Sequence, residues 1–372
     1  MDGTVNDYKQ LSFMIKQDGY LPVELGKLFN DNLLPKKRSL NIFTSTVFEA
    51  IQLQEEIKWF FPTININILP DWETLPYDEI SPHPDLISQR LLTLYQMSLK
   101  MFDINILPIA TCLHLLPPRN YIEKFSFLFT QGQSVNLDAF KSQLISAGYR
   151  YVDKVINHGE YAVRGGIIDL YPMGSSIPYR LDFFDDEIES IRTFDVDTQR
   201  SLYPVKEISL LPARECRLDE EGIRTFRENY RENFEGDPSK SRIYKTISDG
   251  IPFSGMEWYL PLFYDDCDLI FTYLDSDDPI ICLNNIQKSA DDYWIESQNR
   301  FKLFAYDSEH PILKPEKILI TQDIFFKKLQ HFKHVQHINK KDYFFENISI
   351  DRENQKPLEK LHEFILQRNK KT

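Results

Sequence analysis

The apolar positions of residues 39–111 alternate between two periods. Leu40 to Thr44 reads as a short strand, and a helix then opens at Thr46 with Glu49 three residues on, a capping-box spacing. Val47, Ala50, Leu53, Ile57 and Phe60 recur at the spacing of one helical face. Ile64 to Leu69 reads as a second strand. A proline-rich connection follows, and a second helix is predicted from Pro84, with Ile87, Leu91, Leu94 and Ser98 marking its period. Ile104 to Ile109 reads as a third strand, and this β-α-β-α-β rhythm predicts a doubly wound parallel sheet. After the break at Leu116-Pro117-Pro118, a capped helix is predicted over Asn136 to Ala147, ending at Gly148. Closely spaced strand signals run from Val155 to Leu211, as expected of a small α+β domain. Between Leu218 and Leu283 only a helix around Glu220 to Tyr230 is legible, and near Ile318 to Ile338 a strand, helix and strand return. The tail from Asn339 is charged and has no helix stop, which suggests a chain cut from a longer protein. No internal repeat is found.

With 372 residues, 42% of them apolar, the chain can bury the cores of two to four domains. A net charge of −13 argues against whole-chain binding to duplex DNA, which relies on Lys and Arg neutralising phosphates. Cys112, Cys216, Cys267 and Cys282 form no C-x-x-C pair, so neither a zinc site nor a disulfide framework is expected, and a reducing cytoplasm fits best. No apolar run of membrane-spanning length occurs.

A nucleotide site on a doubly wound domain would need GxxxxGK(S/T), and Gly26-Lys27-Leu28 lacks both the hydroxyl and the upstream glycine, since Leu21 stands there. No apolar strand ends in an Asp-Glu pair suited to magnesium. Asp182, Asp185, Asp186, Glu187 and Glu189 are read as a hairpin turn with its flanks rather than a cation site, and His331, His334 and His337 as solvated surface. No local Ser/His/Asp or Cys/His signature is present. In the strand Tyr179 to Phe184, alternation puts Tyr179, Leu181 and Phe183 on the core face and Arg180, Asp182 and Phe184 on the other. An exposed aromatic near an arginine is typical of a binding hot spot; the alternative is a second apolar element covering that face. Arg164 precedes Gly165-Gly166, a bulge or bend able to project its side chain out of the sheet, unless it forms a structural ion pair. From Glu160 to Arg200 four arginines meet nine acids, a balance that disfavours nucleic acid and suits a mixed-charge protein interface.

The run Asp71-Trp72-Glu73-Thr74-Leu75-Pro76-Tyr77-Asp78 with Ser81-Pro82-His83 closely resembles the hallmark of the amino terminus of bacterial transcription-repair coupling factors (Mfd). Similar long matches are Gly159 to Gly165, Ile168 to Gly174, Tyr179 to Ile188 and Phe194 to Arg200, with weaker ones through Gly255 to Tyr259. The resemblance implies a module similar to three domains of the repair subunit UvrB: a degenerate RecA/UvrB-like doubly wound domain 1A that has lost its nucleotide site, an inserted α+β domain 2, and a further mixed α/β domain 1B. Their expected spans are 1–118, 119–212 and 213–338, with 339–372 a charged tail toward downstream domains. It implies that domain 2 binds UvrA through two arginines and a phenylalanine matching Arg164, Arg180 and Phe184, recruiting UvrA to stalled transcription by imitating UvrB. It implies no catalysis and no cofactor in this chain. RNA polymerase contact, an ATP- and magnesium-dependent DNA translocase, and a carboxy-terminal domain masking the UvrA surface would belong to the longer parent. The rival readings are a nucleic-acid-binding module and an NTPase with an unrecognised phosphate site.

Overall fold

The computed structural model describes residues 21–30, 38–307, 310–332, 335–338 and 358. Thirteen strands are assigned among them: β1 Leu40–Thr44, β2 Ile66–Ile68, β3 Ile104–Pro108, β4 Phe127–Thr130, β5 Arg150–Tyr151, β6 Glu160–Arg164, β7 Ile167–Tyr171, β8 Tyr179–Phe184, β9 Glu187–Phe194, β10 Ser201–Val205, β11 Glu207–Leu210, β12 Ile280–Leu283 and β13 Val335–Ile338.

The first sheet has the order β13-β12-β1-β3-β2, and all four pairings are parallel. Alternating side chains of β1 explain its two-sided burial. Leu40 and Ile42 join Ala50, Leu53 and Ile57 of the Val47–Phe60 helix and Leu21 and Leu25 of the Leu21–Asn30 helix. Phe43 points the other way, into the large core shared with Leu91 and Leu94 of the Pro84–Ser98 helix, Ile286 of the Ile286–Phe304 helix and Phe325 of the Gln322–Leu329 helix. Helices thus cover both faces, the doubly wound arrangement expected from the sequence. Phe60, expected on the buried face of its helix, is half exposed. Two strands of this sheet, β12 and β13, come from the stretch expected to form a separate mixed region. The chain leaves the sheet after β3 and re-enters it beside β1.

Between those visits lies a six-stranded sheet, order β10-β9-β8-β7-β6-β5, antiparallel except for the short β5–β6 pairing, with the small β11–β4 ribbon beside it. Its inner face, including Tyr161, Ile168, Leu181 and Ile191, belongs to the same core as Phe140 and Leu144 of the Leu137–Ser146 helix. Asn136 caps that helix, accepting from Asp138 N and Ala139 N, and Gly148 closes it with a φ of +86°.

The sequence-based expectation missed the 19-residue Ile286–Phe304 helix and β12. Between Ile318 and Ile338 the order is an isolated bridge at Leu319, then helix, then strand. His331 and His337 are exposed; His334 and the tail from Asn339, apart from Leu358, lie outside the described residues. No helix among the described residues is long and apolar enough to cross a membrane.

Candidate protein-docking surface

The outer face of the six-stranded sheet is built by three hairpin-linked strands, β6 to β8, and their neighbour β9. Arg164 ends β6 and pairs with Ile167 across the Gly165-Gly166 turn, so the expected bend is a tight hairpin. Gly165 has a φ of +63°, which disfavours any side chain, and a Cβ on Gly166 would stand 2.8 Å from the carbonyl oxygen of Phe183. Arg164 is exposed and its Nη2 donates to the Asp153 carbonyl at 2.9 Å, a bond to backbone where a carboxylate partner was the alternative.

β8 keeps its alternation. Leu181 is buried and Phe183 packs 5.6 Å from the Phe140 ring, whereas Phe184 is 70% exposed at the tip. Asp185 and Asp186 form the turn that reverses β8 into β9, as expected. Asp185 has a φ of +50°, and the Asp186 carboxylate accepts from Asn136 Nδ2 at 2.9 Å. Among the described residues no group of three or more His, Cys, Asp or Glu is arranged to hold a metal ion.

Arg180 departs from the freely solvated arginine of the alternation argument. Its Nε and Nη2 donate to the two oxygens of Asp169 at 2.6 and 2.9 Å, and its Nη1 donates to Ser201 Oγ at 3.2 Å. The guanidinium also lies 5.3 Å from the Phe194 ring centroid. Hydrogen bonding to Asp169 raises the Arg180 pKa further above its ordinary range. The reason is strand register: Asp169 on β7 stands directly opposite Arg180, and its 2% exposure makes an unpaired carboxylate there costly. Part of the face is covered, as the alternative reading anticipated, where Val155, Ala162 and Phe194 cluster.

Two further residues share this face. Asp182, held by Ser190 Oγ at 2.6 Å, lies between Arg180 and Phe184 along β8. Arg192, exposed on β9, stands opposite Arg180. Sequence reasoning counted Arg192 without selecting it: alternation carried from β8 across the Asp185-Asp186 turn puts Arg192 on the core face, and the register shift between Asp182 and Phe183 turns it to the outer one.

Residues 127–216, which contain all of these positions, match the family model of the UvrB interaction domain. The chain is 40% identical to the transcription-repair-coupling factor of Escherichia coli over 288 residues, covering 77% of this chain and 25% of that protein. The chain is a homologue of the bacterial transcription-repair-coupling factors. The Haemophilus influenzae factor is 41% identical over 274 residues, 73% of this chain and 24% of the relative, and the Bacillus subtilis factor is 30% identical over 174 residues, 47% and 15%. This chain therefore spans about a quarter or less of the curated coupling factors it matches. The motif that carried the resemblance, Asp71 to Asp78, is not part of this sheet face. Trp72 is buried there and its Nε1 donates to Glu215 at 3.1 Å, while Arg300 Nε donates to the Pro76 carbonyl at 2.6 Å.

At the carboxyl end of β1, where a doubly wound sheet offers its phosphate site, the turn is occupied by protein. Ser45 N–H donates to Glu49 Oε2 at 2.9 Å, Thr46 caps the helix through Glu49 N at 3.1 Å, and Asn284 Nδ2 donates to Glu49 Oε1. Gly26, the nearest thing to a phosphate-loop glycine, instead lies beneath the Phe61 ring, with no room for a side chain.

Proposed function

We propose that this chain is a recruitment module whose outer sheet face docks UvrA by imitating UvrB, as part of a longer coupling factor acting in transcription-coupled repair in the cytoplasm. Phe184 carries the reading: a large apolar side chain stands exposed at a hairpin tip, on the same face as Arg164, Arg180 and Arg192, inside the segment matching the UvrB interaction domain. Exposed aromatics and arginines are the residues that most often anchor protein interfaces. The mixed charge of the face favours a protein partner over a phosphate backbone. In this reading the chain has no catalytic role and needs no cofactor. The Glu49 carboxylate, placed where phosphate would be held, weighs against an NTPase. ATP hydrolysis, translocation on duplex DNA, RNA polymerase contact and masking of the surface fall to parts of the longer relatives that this chain does not span.

The test is calorimetric titration of purified UvrA into this chain and into Arg164→Ala and Phe184→Ala. Loss of one anchor is expected to weaken binding by about 2 kcal/mol or more, roughly thirtyfold. Absence of binding by the unaltered chain, or unchanged affinity in both variants, would refute the proposal. Tight, salt-sensitive binding of labelled duplex would favour the nucleic-acid reading instead.

A further inference from the structure

We propose that Arg180 works as a two-sided bridge, with Asp169 as its positioning residue and one carboxylate of the docked protein as its second ligand. This rests on the docking role of the face and goes on to name the chemistry of the contact. A guanidinium carries five N–H donors, arranged as a side fork of Nε and Nη2, an end fork shared by Nη1 and Nη2, and one remaining Nη1 hydrogen. Asp169 takes the side fork and Ser201 takes one Nη1 hydrogen. The Phe194 ring lies against the guanidinium. Two of the five donors are left, one hydrogen on Nη2 and one on Nη1, and a carboxylate of the partner is the acceptor suited to them. The Arg180 side chain is 17% exposed and that of Asp169 2%, so the positioning carboxylate is shielded while the arginine still reaches the surface. Asp169 thereby holds the flexible arginine in one orientation before the partner arrives, which lowers the entropy lost on binding.

The measurement is the affinity of purified UvrA for the unaltered chain and for Arg180→Ala, Arg180→Lys, Asp169→Asn and the double variant Asp169→Asn with Arg180→Ala. Arg180→Lys keeps a charge for Asp169 but has no planar fork, so it folds without an orphaned carboxylate and is expected to weaken binding about as much as Arg180→Ala, on the order of tenfold or more. Asp169→Asn is expected to weaken binding in the unaltered background and to add nothing in the Arg180→Ala background. Wild-type affinity in Arg180→Lys would overturn the bridge, because charge alone would suffice. An equal effect of Asp169→Asn in both backgrounds would overturn the positioning role, because the residue would then act on the fold and not through Arg180. Either result, obtained while Phe184→Ala still loses affinity, leaves the docking face standing. Unchanged affinity in Phe184→Ala and Arg180→Ala together would bring down the face and the bridge alike.

Discussion

Phe184 and Arg180 sit four residues apart on one strand face, yet different forces govern them. Phe184 is mostly in water, so truncating it removes little from the fold. Phe184→Ala is expected to leave the melting temperature within about a degree, in keeping with the small effects of exposed substitutions, while UvrA affinity falls; calorimetry of both quantities on one sample checks the split. Alternation was enough to find these two side chains in the sequence. What it could not supply was the neighbour: Asp169 is eleven residues away along the chain, and only the β7–β8 register puts it opposite Arg180. A buried carboxylate elsewhere gives the residue scale its pH dependence. Burial pushes the Glu257 carboxyl up from 4.5 to about 7, against the opposing hydrogen bond from Ser81. Between those two values the unfolded chain has lost this proton and the folded chain keeps it. The unfolded state therefore binds fewer protons, and stability falls as pH rises through the window. Glu257→Gln is expected to remove this part of the pH dependence, on the order of 3 kcal/mol between pH 4 and pH 8. Urea unfolding at the two pH values measures it, and an unchanged slope would contradict it.

Where local chemistry decides an element, the sequence was enough to find it. Thr46 and Glu49 start the Val47–Phe60 helix, Asn136 and Gly148 bound the Leu137–Ser146 helix, and Asp219 caps the Glu220–Asn233 helix by accepting from Gly222 N at 3.0 Å. The Ile286–Phe304 helix escaped because its buried stripe is weakly apolar, running through Ile286, Ala290 and Ser297, while Ile295 and Leu303 are exposed elsewhere on it and blur the period. Strand β12 escaped because a four-residue apolar run reads equally as a piece of buried helix. The β6–β7 hairpin offers an element-scale experiment on two adjacent glycines. Gly165→Ala meets no neighbour but must hold a positive φ, a cost of about 1 kcal/mol. Gly166→Ala meets the Phe183 carbonyl at 2.8 Å, so β8 must shift, at a cost nearer 2–3 kcal/mol. Urea unfolding should rank them in that order. Because the shift displaces the strand that carries Phe184, only Gly166→Ala is expected to weaken UvrA binding as well.

Across the whole molecule, the parallel sheet is completed by strands separated from β3 by more than half of the described chain, a pairing that no local period encodes. A buried ion pair joins residues 125 positions apart. Arg90, on the Pro84–Ser98 helix, donates from Nε to Glu215 at 2.6 Å and from Nη1 to the Pro70 carbonyl at 2.6 Å, and both charged side chains are only 1% exposed. Trp72 donates to the same carboxylate, and Tyr264 donates to the Glu215 carbonyl at 2.6 Å. Glu215→Ala would strand the arginine in the core, and the expected loss is about 3–5 kcal/mol, read as a fall in the urea midpoint. The segment matching the UvrB interaction domain ends at residue 216, one position past this glutamate. A graft cut at that border would carry away the counter-ion of the body it leaves behind, and would expose on the transplanted piece a carboxylate shaped for an arginine it no longer meets. For anyone moving this sheet face onto another scaffold, the scissors belong before Glu215, so that the carboxylate stays with the arginine it neutralises.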